Sequence, residues 1–362
     1  MSPRSALFVF CLLLPACLRP AEERAERDLT VGQSGLAAFD VRVRDGLAAV
    51  RAHSDDKLVL WQSAPHMDVE LAFRATMPIE LEVRNTMPNG SVTASGARAT
   101  VDQLAGTGTK YVRLRVTPQS RGVVRLRFEA PESTRPTFRF ALMSDVQEAI
   151  HKVRDLYEHI NLQPNLDFLL GAGDLTQRGT DEQLRRFEKE LEALNIPYYT
   201  TLGNHELGVT PPLYHEFFGR GSFSFQHRGA RFTLLDTASA TLDPVVFAWL
   251  DEWLAAGKQQ FHVLAMHIPP IDPIGVRNGS FASRMEAHKL LNAFLQHGVD
   301  LTVYGHIHSF YDFSNADIPA VISGGGGAIP ERFDDVGRHY VIFEVNPTQG
   351  TFDKTLVAIE PD

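Results

Sequence analysis

Two apolar runs that each end on a polar group restrict this chain more than any other feature. Leu166 to Leu170 breaks at Gly171 and leads to Asp174, while Tyr198 to Leu202 breaks at Gly203 and leads to Asn204, His205 and Glu206. A helical stretch separates the two. Short apolar runs alternating with helices predict buried parallel strands in an α/β arrangement. In open sheets of that kind, ligands bind just past the carboxyl ends of the strands. A carboxylate, an amide and an imidazole delivered to that edge suit a metal site that does hydrolysis.

The same pattern recurs downstream of Thr137. Thr137 to Met143 reads as a strand ending in Ser144-Asp145, Phe232 to Leu235 as one ending at Asp236, and Phe261 to Ala265 as one ending at His267. Leu301 to Tyr304 reads as a strand running into Gly305-His306-Ile307-His308. The intervening segments are helical. Glu148 to Asn161 carries Ile150, Val153, Tyr157 and Ile160 on one face. Thr180 opens a helix with a capping box to Gln183, and Leu184, Phe187, Leu191 and Leu194 form its apolar stripe. Asp243-Pro244 and Ser283 with Glu286 start two more, which Gly257 and Gly298 end. Taken singly, an Asp after a strand is equally a helix cap, an Asn beside Gly a turn residue, and a lone His a satisfied structural group. Five strand ends delivering Asp145, Asp174, Asn204, His267 and His306/His308 to one topological place are a constellation.

Residues 29–130 have a different period. Val69, Leu71 and Phe73 alternate with polar or small residues, as do Ile79, Leu81 and Val83, then Val112, Leu114 and Val116, then Val124, Leu126 and Phe128. Turn signals at Pro88-Asn89-Gly90 and Arg121-Gly122 separate such runs. Short alternating strands without helices predict a β-sandwich of immunoglobulin or fibronectin type. Residues 131–136 (PESTRP) read as a linker to an α/β domain at 137–362. Arg113, Arg115, Arg125 and Arg127 fall at outward positions of the last two strands, and would form a basic stripe if those strands pair. A solvated sheet face is the plainer reading.

The N-terminus reads as a targeting segment. Arg4 precedes the apolar run Ala6 to Leu14, which is too short to span a bilayer and suits a signal-peptide core. Leu14-Pro15-Ala16-Cys17 resembles a bacterial lipobox, which implies a signal peptide at 1–17, a lipidated Cys17 and an exported lipoprotein at the cell envelope. A plain secretory signal cut nearby is the alternative. Cys11 and Cys17 are the only cysteines, so residues after Cys17 form no disulfide. Charged residues 18–28 read as a tether. The formal net charge of −9 argues against sequence-independent nucleic-acid binding, which needs a basic surface. Membrane contact is expected only through the lipid anchor.

From Thr137 onward the motifs resemble the calcineurin-like metallophosphoesterase superfamily. Its blocks stand here as Asp145-Val146-Gln147, Gly173-Asp174, Gly203-Asn204-His205-Glu206, His267 and Gly305-His306-Ile307-His308. The resemblance implies an α/β fold, two mixed sheets packed as a sandwich and flanked by helices, with two divalent metal ions at the strand ends. It implies that Asp145, Gln147, Asp174 and His308 hold one ion and that Asp174, Asn204, His267 and His306 hold the other. The mixed oxygen and nitrogen donors suit Mn, Fe or Zn. It further implies a dinuclear centre that activates water, with His205 as the general acid and Arg178 gripping phosphate. Gln147 departs from the pattern, which usually has histidine there. A β-sandwich ahead of such a domain is similar in architecture to purple acid phosphatases. Their iron-binding tyrosine would fall at Gln177, so that chemistry is not implied.

The function expected is a metallophosphoesterase hydrolysing phosphate mono- or diesters, whose partner is a phosphorylated small-molecule or envelope substrate. A second class is a catalytically degenerate metal-binding domain that recognises a phosphorylated envelope component. A third makes the β-sandwich the working part, docking a partner or glycan. The presence of His205, which is not a ligand in this scheme, favours the first.

Overall fold

The computed structural model describes residues 19–359, except 107, 276–278 and 332–335. The lipobox residues Leu14 to Cys17 lie outside the described residues.

Helix α1 (Arg19–Thr30) opens the described chain. It stands where a tether was expected. The charges at Arg24 and Asp28 suggest a solvated segment, but they fall on the same face as Ala21 and Ala25 and are buried with them. Arg24 Nε donates to Asp236 Oδ2 at 2.5 Å, and its Nη2 to Asp236 Oδ1 at 3.1 Å. Asp28 accepts from the Gly221 and Ser222 amides at 2.8 and 2.9 Å. Buried charges are tolerated only when paired like this. Asp236→Ala takes the carboxylate away from the buried Arg24 guanidinium, which keeps a neutral hydrogen bond to Ser239 Oγ at 3.1 Å, and should cost about 3–5 kcal/mol in denaturant unfolding. Pairing it with Arg24→Met should recover part of that loss. An unchanged midpoint in the single variant would remove the pair from the anchoring of α1.

Strands β1 (Gln33–Gly35), β2 (Phe39–Val43), β3 (Ala48–His53), β4 (Lys57–Gln62), β5 (Met67–Phe73) and β6 (Ile79–Arg84) follow. Then come β7 (Ser91–Gly96), β8 (Ala99–Gln103), β9 (Tyr111–Pro118) and β10 (Gly122–Glu129). They form two five-stranded sheets, ordered β1-β2-β5-β10-β7 and β3-β4-β6-β9-β8. The alternating residues Val69, Leu71, Leu81, Val83, Leu114, Val116, Leu126 and Phe128 meet in one buried cluster between them. The period-two pattern thus has its cause in one buried face per strand. The basic stripe does not form. Because the chain crosses from one sheet to the other between β9 and β10, Arg113 and Arg115 lie apart from Arg125 and Arg127. Each also has a carboxylate: Glu80 for Arg113 and Arg115, Glu70 for Arg125, and Glu129 for Arg127.

Residues 131–136 are exposed and carry neither helix nor strand. After them come β11 (Phe138–Met143), α2 (Val153–Asn161), β12 (Leu166–Ala172), α3 (Asp181–Glu190), β13 (Tyr198–Thr201) and α4 (Tyr214–Phe217). The chain continues through β14 (Phe223–His227), β15 (Ala230–Leu235), α5 (Pro244–Gly257), β16 (Phe261–Met266), α6 (Arg284–His297) and β17 (Leu301–Tyr304). It ends with β18 (Phe310–Asn315), β19 (Ile318–Ser323), β20 (His339–Asn346) and β21 (Thr351–Ala358). One sheet runs β13-β12-β11-β20-β21 and the other β14-β15-β16-β17-β19-β18. Strands β11, β12 and β13 are mutually parallel, as are β15, β16, β17 and β19. The caps read from sequence are in place: Thr180, Asp243 and Ser283 each accept from a backbone amide of the following turn. Aromatic rings fill the space between the sheets. Phe140 stacks on Phe168 and Phe343 at 5.6 and 5.0 Å and meets Phe232 edge-on at 5.2 Å. Two sheets fastened face to face in this way hold their parallel strand ends along one common edge.

Candidate metal centre

Each strand end departs sharply from the sheet. Asp145, Gln147, Asp174 and His306 all have positive φ, at 63°, 47°, 53° and 69°. A side chain in that region costs about 1–3 kcal/mol, and such positions cluster at functional sites. Glycines let the loops close in. A Cβ at Gly203 would lie 2.1 Å from Asp174 Oδ1, and one at Gly305 would lie 2.7 Å from Asp145 Oδ2. No larger residue fits at either position.

Asp174 is the hub, at 1% exposure. Its Oδ2 lies 3.2 Å from His267 Nε2, 2.9 Å from Gln147 Nε2 and 3.9 Å from His205 Nε2. Its Oδ1 accepts from the His205 amide at 2.9 Å. His267 Nε2 is also 3.0 Å from Asn204 Oδ1, and its ring meets that of His306 at 5.1 Å between centroids. One ligand atom each from Asp174, His267 and His306 lie within 4.8 Å of one another. On the other side, His308 Nε2 sits 3.6 Å from Asp145 Oδ1 and 3.1 Å from Gln147 Nε2. Asp145 accepts from the His306 amide at 2.9 Å. All seven residues that the motifs single out as metal ligands therefore converge.

The tautomers follow from the backbone. His267 Nδ1 donates to the Ala172 carbonyl and His308 Nδ1 to the Ile329 carbonyl, both at 2.7 Å. Each ring thus turns the lone pair of its Nε2 toward a carboxylate. Neutral His267 would place Nε2, Asn204 Oδ1 and Asp174 Oδ2 together as three acceptors, an arrangement that calls for a cation. A proton takes that part in the bare protein. Burial depresses His267, but the Asp174 charge and hydrogen bond, with help from Asp145, overcome it and push the imidazole up to about 9. Burial works to raise Asp174, yet His267 and His205 hold it below the usual carboxylate range. Asp145 is raised, chiefly by burial. The donor set fits divalent metal of the Mn, Fe or Zn kind.

Two expected residues stand apart from this ligand set. His205 is about a quarter exposed, with Nδ1 bonded to the Gln177 carbonyl at 2.9 Å and Nε2 facing Asp174. Arg178 is exposed, and its side chain has no hydrogen bond or ion pair among the described residues. Gln147 presents its amide nitrogen to Asp174 and His308 rather than its oxygen.

Glu206 matters more than the motif reading suggests. It is fully buried, accepting from the Thr176 amide and hydroxyl with Oε1, both at 3.0 Å, and from the Gly203 amide with Oε2 at 2.8 Å. It ties the Asp174 loop to the Asn204 loop. Burial and the Asp174 charge push it up to about 8. Its place three residues after Gly203 was the available signal. Glu206→Ala orphans two buried amides, and should cost roughly 2–4 kcal/mol in urea unfolding while weakening metal binding. Metal affinity and stability both equal to wild type would leave Glu206 without this clamping part.

A family model described as calcineurin-like phosphoesterase matches residues 138–310. The chain carries a calcineurin-like phosphoesterase domain. A 3',5'-cyclic-nucleotide phosphodiesterase of Nostoc sp. is 27% identical over 157 residues, covering 41% of this chain and 58% of that protein. A probable glycerophosphodiester phosphodiesterase of Arcobacter nitrofigilis is 39% identical over 61 residues, or 16% of this chain and 22% of that protein. The matches thus span little more than half of the first relative and about a fifth of the second. A solved structure of PhoD is 14% identical, with a TM-score of 0.48, covering 78% of this chain and 82% of that one. The phosphoesterase domain brackets the whole motif set from Asp145 to His308.

Proposed function

We propose that this chain is a metal-dependent phosphoesterase that hydrolyses phosphate mono- or diesters at the edge around Asp174. The observation that carries the reading is the convergence of His267 Nε2 and Asn204 Oδ1 with Asp174 Oδ2, a set that suits a cation once His267 is neutral. Asp145, Gln147, Asp174 and His308 would hold one divalent ion, and Asp174, Asn204, His267 and His306 the second. Bound there, the pair supplies charge for the phosphoryl oxygens and activates water for in-line attack. His205 keeps one ring proton on the Gln177 carbonyl and presents Nε2–H to the leaving alkoxide. Arg178, whose side chain has no hydrogen bond or ion pair among the described residues, can reach a phosphate oxygen with its planar fork. The chain is held at the bacterial envelope by a lipid on Cys17, which mass spectrometry of the mature N-terminus tests.

Both relatives act on phosphodiesters by name, so diesters come first in the test. Purified protein is assayed against aryl phosphate mono- and diesters with Mn²⁺, Zn²⁺ or Fe²⁺ added. Turnover that chelation removes and metal restores is expected, and its absence with every metal sinks the reading.

Gln147 favours the second reading, a metal-binding domain without turnover. Its amide nitrogen already occupies acceptors on Asp174 and His308, so ligation requires the amide to turn. Amide oxygen is also a weaker donor than imidazole to Zn²⁺. Dialysed protein should therefore hold fewer than two metals per chain. Gln147→His should raise occupancy and tighten the ion that Asp145, Asp174 and His308 would share with position 147 by roughly tenfold or more. Two tightly held metals in both proteins would mean that the substitution has no consequence.

A further inference from the structure

Large apolar side chains are exposed in the segments that follow β15, β16 and β19. Met285 is 84% exposed at the start of α6, and Ile329 is 69% exposed after β19. Ile271 after β16 and Val245 at the start of α5 are nearly half exposed. All four follow the carboxyl ends of parallel strands in one sheet, the edge from which His267 and His306 emerge. The Ile329 carbonyl itself holds His308. Arg284 is exposed at the start of α6 on this edge and Arg178 is exposed after β12 of the other sheet, both without side-chain partners among the described residues. Exposed apolar residues scattered singly need no explanation, but several around one site do. Apolar tips beside unpaired arginines suit a surface of lipid headgroups over acyl chains.

Helix α1 supplies the second observation. Its Arg24 and Asp28 are locked to Asp236, which ends β15, and to Gly221 and Ser222, which precede β14 beside it. Ala25 packs in the cluster that contains Leu242, Val246 and Ile268. All these contacts lie on the catalytic edge. Cys17 stands two residues before α1, a reach of about 7 Å, and Arg24 lies roughly 8 Å further along the helix. A lipid on Cys17 would therefore hold this edge close to the bilayer, where a long tether would let it face anywhere.

Resting on the proposed anchor and the proposed hydrolysis, we infer that the catalytic edge faces the membrane and that its substrate is a phosphate ester in the headgroup of a bilayer lipid. Residues after Cys17 contain no cysteine, so single reporters can be placed. The full lipidated chain carries a fluorophore at Met285→Cys, or at Leu162→Cys, which is 77% exposed at the opposite end of α2. It is bound to phosphatidylcholine–phosphatidylglycerol vesicles containing acyl-chain quenchers. Quenching at position 285 should exceed that at 162 by about threefold or more, since interfacial groups enter roughly 5–10 Å. Equal quenching overturns the inference. So does burial of the 285 reporter without vesicles that grows with protein concentration, which would make this face a contact between copies. In the second arm, Ile271→Ser, Met285→Ser and Ile329→Ser combined should lower the ratio of phosphatidylglycerol turnover to soluble diester turnover by roughly tenfold or more. An unchanged ratio overturns the lipid substrate. Selective quenching at 285 with no ester turned over upholds the membrane-facing edge and fails the hydrolysis reading instead.

Discussion

Asp174→Asn loses bound metal and turnover together while the fold is kept. Asp174 Oδ2 faces His267, Gln147 and His205, and its side chain is almost wholly buried. Asparagine has the same shape, and its oxygen can still accept from the His205 amide, so the loop keeps its tie. What disappears is the charge that both proposed ions share. Its removal should cost several kcal/mol of metal binding, and at about 1.36 kcal/mol per decade turnover should fall roughly 10³-fold or more. Stability separates this from simple damage. In chelator the variant should unfold at a lower midpoint than wild type near neutral pH, because the depressed Asp174 and the raised His267 stabilise the fold as a pair and the substitution removes one partner. Added metal should stabilise wild type and leave the variant where it was, since only a ligand bound to the native state shifts the midpoint. Undiminished hydrolysis in Asp174→Asn would falsify the dinuclear reading.

The sequence carries the site further than it carries the molecule around it. Strand ends are legible because an apolar run that stops at a polar residue marks where a strand leaves the sheet, and it is the recurrence of that pattern that singles out Asp145 through His308, which come together in the structure. Two failures show where local pattern stops. Arg24 and Asp28 are indistinguishable in sequence from solvated charges, because their partners Asp236 and Ser222 lie about 200 positions away. The arginines of β9 and β10 alternate correctly, but sequence alternation fixes only the face of a strand and not the sheet that receives it. Glu206 is an intermediate case. Its neighbours mark it as part of the site, while its clamping of Thr176 needs the two loops in register.

His205→Ala should slow turnover by roughly 10²–10⁴-fold, the usual contribution of a general acid, with metal content nearly unchanged. The residue is placed for that part by two contacts to the loop that follows β12. Its amide donates to Asp174 Oδ1, and Nδ1 donates to the Gln177 carbonyl, which leaves Nε2 as the atom that faces the site. The alanine variant keeps the backbone contact to Asp174, so the ligand loop should hold its shape. A lost proton donor has a signature that a structural defect lacks. An alkyl leaving group needs protonation as its bond to phosphorus breaks, whereas nitrophenolate leaves well unaided. The deficit should therefore be largest for alkyl esters and shrink toward unity for nitrophenyl esters. His205→Gln offers a control, because its amide can donate a hydrogen bond but cannot deliver a proton at neutral pH. It should repeat the alanine pattern on alkyl esters. An equal loss on alkyl and nitrophenyl esters would take His205 out of the acid role and leave it as a support for Asp174.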